Sequence, residues 1–174
     1  GQFLAAIAHW QPLVQRHAAA HNVLAQASTL RNLTLAYQQL GQWEKAQSAI
    51  AQSQALLASA PPASAPPASE EAASGEQQSR WQANKWQVTA QVFMAQGSLK
   101  IALGQGEQAL DSWVAANEAY KNSGDQTGQW RAQINQSQAL RDLGFYQQAQ
   151  EQLNRLIEEI DDQPASRLKA ILLR

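Results

Sequence analysis

The sequence contains no cysteine. Disulfide frameworks, thiolate zinc sites and cysteine nucleophiles are therefore excluded. Charge is also scarce: 16% of residues are charged, with 13 Lys and Arg against 14 Asp and Glu, for a net charge of −1. Gripping a nucleic-acid backbone or an anionic membrane surface takes an excess of positive charge. Neither partner is expected. No apolar run approaches the ~20 residues that span a bilayer. The opening Gly1-Gln2-Phe3 lacks the basic stretch that begins a signal peptide, and the apolar residues after it break at His9.

Catalytic and metal-binding patterns are missing too. His17 and His21 are spaced i, i+4, but no third ligand accompanies them. Gly104-Gln105-Gly106 is not placed between a strand and a helix, as a phosphate-binding loop would be. Asp161 and Asp162 with Glu158 and Glu159 form an acidic cluster at a helix end, which reads as a solvated turn. Neither an enzymatic activity nor a cofactor or metal is expected.

What is present is repetition. Gly1-Gln2-Phe3-Leu4-Ala5-Ala6, Gly41-Gln42-Trp43-Glu44-Lys45-Ala46, Gly104-Gln105-Gly106-Glu107-Gln108-Ala109 and Gly144-Phe145-Tyr146-Gln147-Gln148-Ala149 share the form Gly-x-aromatic-x-x-Ala, with Gly106 replacing the aromatic once. The glycines are 40, 63 and 40 residues apart. The long interval holds the Pro, Ala and Ser-rich stretch Ala58 to Arg80; removing those 23 residues restores a spacing of 40. Such a stretch cannot supply a core and is expected to be a disordered linker.

Each unit reads as two helices. Leu30, Leu33, Tyr37 and Leu40 mark one helical face, a glycine supplies the left-handed turn, and Trp43, Ala46, Ile50 and Ser53 mark the next face. The aromatic is expected to fill the gap between paired helices, while the alanine lets their backbones approach. Small or compact residues (Thr34, Gly97, Ser137) fall at the helix-crossing position before each glycine. A helix pair cannot bury its apolar face alone, so stacked copies should share a core. The expected fold is all-α: an α-solenoid of antiparallel helix pairs in about 40-residue repeats. Helices are expected near 2–18, 22–40, 42–58, 81–103, 105–122, 126–143, 145–161 and 165–174.

The segment from Leu30 through Tyr37, Leu40-Gly41 and Trp43 to Ala46 resembles the tetratricopeptide repeat. The stretch Gly124-Asp125, Gly128, Arg131 to Leu140, Leu143-Gly144 and Gln163-Pro164 is similar to the long-repeat arrays of bacterial, especially cyanobacterial, CHAT-domain proteins. That second resemblance implies a caspase-like peptidase domain elsewhere in a parent protein, with this chain as its sensing module. The expected organisation is one array fragment. A lone second helix (1–20) is followed by a repeat (21–58), the insertion (59–80), two repeats (81–123 and 124–163) and the start of another (164–174). Both ends are expected to be cut from a longer array, leaving faces through which the fragment could self-associate.

The tetratricopeptide resemblance implies a protein-interaction scaffold, with a peptide or protein partner held in a concave groove lined by the first helix of each pair. On those helices the candidate partner-binding residues are Arg31, Asn32 and Gln38, then Arg131, Asn135, Gln138 and Arg141. Asn32 and Asn135 share a repeat position; an amide there can pair with a ligand backbone, and an arginine can hold a carboxylate. The middle repeat departs from the set with Met94, Ala95 and Ile101, which predicts a more apolar stretch of groove. The six tryptophans read as core rather than nucleic-acid stacking platforms, because no basic stripe accompanies them. Trp81 and Trp86 alone have no repeat position.

Overall fold

A computed structural model of the chain describes residues 1–60 and 75–161. The described residues are helical throughout: α1 (Gln2–Ala19), α2 (Val23–Gln39), α3 (Trp43–Ser59), α4 (Gly75–Ala102), α5 (Gly106–Ser123), α6 (Gln126–Asp142) and α7 (Tyr146–Asp161). No strand occurs among them. The helices α4 to α7 and α1 to α3 match the expected boundaries closely, with one exception. Helix α4 begins at Gly75 rather than near residue 81, so residues 75–80 of the expected insertion belong to a helix. The remainder of that insertion and the expected helix at 165–174 lie outside the described residues.

The turns explain why the helices end where they do. Gly41, Gly104, Gly124 and Gly144 all have positive φ, between 68° and 88°. At each, the glycine N–H and the next N–H donate back to carbonyls of the last helical turn, as in Gly41 to Gln38 at 3.0 Å and Gln42 to Tyr37 at 2.9 Å. This is the Schellman closure, which needs a left-handed residue and so favours glycine. His21 makes the same pair of bonds at φ 50° with a side chain attached. His21 and Gly41, Gly104 and Gly124, and Gly124 and Gly144 are each 20 residues apart. The 40-residue period read from the sequence is thus two equal half-steps, each closed by one turn design.

Cross-helix bonds show that neighbours run antiparallel. Ser53 Oγ donates to the Ala27 carbonyl between α3 and α2. Lys100 Nζ reaches Gln108 near the α4–α5 turn, Ser112 Oγ reaches Gln96 farther out, and Ser123 Oγ reaches Gln87 farther still. Gln136 Nε2 donates to the Trp113 carbonyl of α5 and its Oε1 accepts from Gln152 of α7, joining three helices. Gln96 does the same among α3, α4 and α5 through Gln54 and Ser112. Long amides thereby satisfy one another at part-buried positions where an unpaired polar group would cost about 1–3 kcal/mol. Besides its chain neighbours, α2 also packs against α4.

The core is a succession of clusters rather than one mass. The largest runs from Ile7 and Val14 through Leu30, Leu33, Ile50 and Leu57 to Val92 and Leu99. Smaller ones join α4, α5 and α6 around Tyr120 and around Trp113, and join α6 to α7 around Trp130, Leu156 and Ile160. Alanines 46, 109 and 149 of the shared Gly-x-aromatic-x-x-Ala form are all buried, as are Thr34, Gly97 and Ser137. The aromatic position is less uniform than its spacing suggests. Trp43 packs against the core, whereas Phe3 and Tyr146 are 42% and 68% exposed. Helix α3 lies between α2 and α4, but α1 and α7 pack substantially against one helix each, so nothing among the described residues covers their aromatics. Trp113 and Trp130 are buried, and Trp86 stands out in solvent.

Candidate functional site

Helices α2, α4 and α6 are the first members of the α2–α3, α4–α5 and α6–α7 pairs, and their side chains meet in a shallow depression of about 270 Å³. Arg31 and Leu35 enter from α2, Gln91, Met94, Ala95 and Ser98 from α4, and Arg131 from α6. Tyr120 joins them from the C-terminal turn of α5.

Tyr120 is held by its surroundings. Its ring is buried among Ala90, Ala116, Ala119 and Ala132. It lies flat against Gly128 of α6, where an added Cβ would fall 2.6 Å from the ring Cγ. The start of α6 is fixed by Asp125, whose carboxylate accepts from the Gly128 N–H at 2.8 Å and from Gln87 Nε2 at 2.9 Å. Asp125 N–H in turn donates to the Tyr120 carbonyl. One turn therefore places both the ring and the helix against which it rests.

The electrostatics are unbalanced. Burial pushes the Tyr120 phenol above its ordinary pKa, and the Asp125 carboxylate adds to this, while the Arg131 and Arg31 guanidinium groups pull the other way. The hydroxyl therefore stays protonated at neutral pH. Burial holds the Arg31 guanidinium below its usual pKa, with Tyr120 opposing. Arg31 Nε is buried without a hydrogen-bond partner. The ion pairs among the described residues are Arg80–Glu76 and Arg141–Asp142, so neither Arg31 nor Arg131 is neutralised by a carboxylate.

The seven sequence-derived candidates divide on this geometry. Arg31 and Arg131 come together at the depression. Asn135 is part-buried beside it, its amide 4.0 Å from Met94 Sδ. Asn32 and Gln38 are half-buried on α2 and Gln138 is exposed on α6; none of the three lines the depression. Arg141 is exposed and turned onto its sequence neighbour Asp142 at 3.1 Å. Tyr120, Gln91 and Ser98 were missed because the search was confined to matching positions on first helices. Met94, expected to make the middle repeat apolar, does line the depression and also packs against both neighbouring clusters. Ile101 is exposed away from it.

Among the described residues no group of three or more His, Cys, Asp or Glu side chains could hold a metal ion. No helix among them is long and apolar enough to cross a membrane. No protein-family model matches the sequence, and no curated protein matches it.

Proposed function

We propose that this chain is a tetratricopeptide-type array that holds a peptide or protein partner against the face formed by α2, α4 and α6. The observation that carries the reading is the depression on that face: two guanidinium groups and a phenol converge there without an internal acceptor. Desolvating an arginine costs stability unless its N–H groups find oxygen. A surface that keeps such groups open is suited to a ligand that supplies the oxygen. The solenoid reading is supported by the equal 20-residue half-steps, the repeated Schellman closures, the small residues at 34, 97 and 137, and the packing of α2 against α4. Peptides bound in this way are recognised by polar anchors and shape rather than by chemistry done on them. No enzymatic role is assigned.

The experiment is selection of peptides from a random library on the intact chain, followed by affinity measurement on two variants. Ser98→Trp puts bulk into the depression from an exposed position, and Glu118→Trp puts the same bulk on exposed α5. Loss of binding in the first variant only is expected. Equal binding to both variants would refute the assignment of this face.

A further inference from the structure

Resting on that reading, we infer that Arg31, Arg131 and the Tyr120 hydroxyl together form a receptor for one carboxylate group of the bound peptide.

The charge balance selects the ligand. Arg31 and Arg131 contribute two positive charges, and the one carboxylate that acts on Tyr120 with them is Asp125. Asp125 is already engaged, with one oxygen on the Gly128 N–H and the other on Gln87. The local excess is a single positive charge, which one carboxylate neutralises and a phosphate dianion overshoots. The donor set agrees. Two guanidinium groups offer N–H donors in planar forks that match the two oxygens of a carboxylate. The Tyr120 phenol, kept protonated by burial, offers an O–H beside them.

Arg31 also explains why the site is built rather than incidental. A surface arginine ordinarily extends its head group into water along an apolar stem. Here Nε is sealed from solvent with no acceptor. Occupation of the depression by an oxygen anion relieves this cost at the guanidinium without moving the helix. Leu35 and Met94 line the same depression, so a ligand with an apolar residue beside its carboxylate covers both kinds of surface. The carboxylate can come from a glutamate or aspartate side chain or from the chain end of the partner.

Three capped dipeptides separate these cases on the intact chain: acetyl-Met-Glu-amide, acetyl-Met-Gln-amide, and acetyl-Met-Gln with a free C-terminal carboxylate. The readout is the Nε–H resonance of each arginine in a nitrogen-correlated NMR spectrum. A saturable shift of the Arg31 and Arg131 signals is expected with a carboxylate-bearing peptide and not with the neutral one. The responding acid identifies side chain or chain end as the source. Arg131→Gln, at an exposed position, should weaken binding about tenfold, as expected for one charge-assisted contact. Tyr120→Phe should weaken it less. Equal response to the neutral dipeptide, no shift at either arginine, or undiminished binding by Arg131→Gln overturns the carboxylate receptor. The peptide-binding reading fails separately: library peptides that ignore Ser98→Trp refute it, whereas library peptides that obey it but carry no carboxylate leave it standing and sink this inference alone.

Discussion

Gly97→Ala is the most informative single change to the fold, because two opposing effects of known size meet at one atom. Gly97 lies within α4, where alanine is ordinarily better than glycine by about 0.5–1 kcal/mol. In this chain the Trp113 indole occupies the place of a side chain: an added Cβ would come within 2.6 Å of Cδ1 and Cε2, and nearer still to Nε1. Trp113 cannot swing away freely. It is 5% exposed, packed with Ala109 and Ala139, its Nε1 is directed at the Met94 carbonyl, and its own carbonyl accepts from Gln136. Overpacking of a core in this way costs about 1–3 kcal/mol. The clash outweighs the propensity gain, and a net loss of about 1–2 kcal/mol is expected from these two terms. Urea unfolding followed by circular dichroism measures it as a lower midpoint, and the indole emission of Trp113 should shift as its seat is disturbed. A Gly97→Ala protein as stable as the parent, or more stable, would refute the seating of Trp113 on the glycine.

The turns supply a paired test. Gly124→Ala, at φ 76°, should cost about 1 kcal/mol because left-handed backbone disfavours a Cβ, whereas His21→Gly should leave stability unchanged or raise it. Asp125→Ala removes the side-chain cap of α6 and should cost about 0.5–2 kcal/mol in thermal or chemical unfolding. Tyr120 gives a pH signature. Its folded pKa is raised, so the stability it contributes is complete below the unfolded phenol pKa of about 10 and is lost as pH climbs through the folded value. Phenolate absorbance should show one of the three tyrosines titrating late, and Tyr120→Phe should remove that component. Gln136→Leu should destabilise by about 1–2 kcal/mol, since Gln152 and the Trp113 carbonyl both lose their bridging partner.

The helices were legible in the sequence because glycine and apolar spacing both mark them. Gly41, Gly104 and Gly144 ended helices where expected, and only the start of α4 was misplaced, since the polar residues 75–80 carry no apolar stripe to announce a helix. The half-repeat was hidden because His21 occupies one of its turns, and a left-handed histidine cannot be told from any other by type. The site was half legible. Comparing equal repeat positions found Asn32 and Asn135, yet Arg31 and Arg131 are the residues that converge, and they stand ten and thirteen residues before their glycines, Gly41 and Gly144. Helices packed side by side present different turns of themselves to a shared depression, so equal register does not mean shared space. Tyr120 belongs to a second helix, and Gly128 gives its ring a seat; no spacing within first helices points to either.

The face formed by α2, α4 and α6 is tested most directly by backbone amide NMR of the chain with and without its best library-selected peptide. The expected result is a set of shifted amides concentrated at Arg31, Gln91, Met94, Ser98 and Arg131. Shifts confined to α3, α5 and α7, with those five amides unmoved, would contradict it.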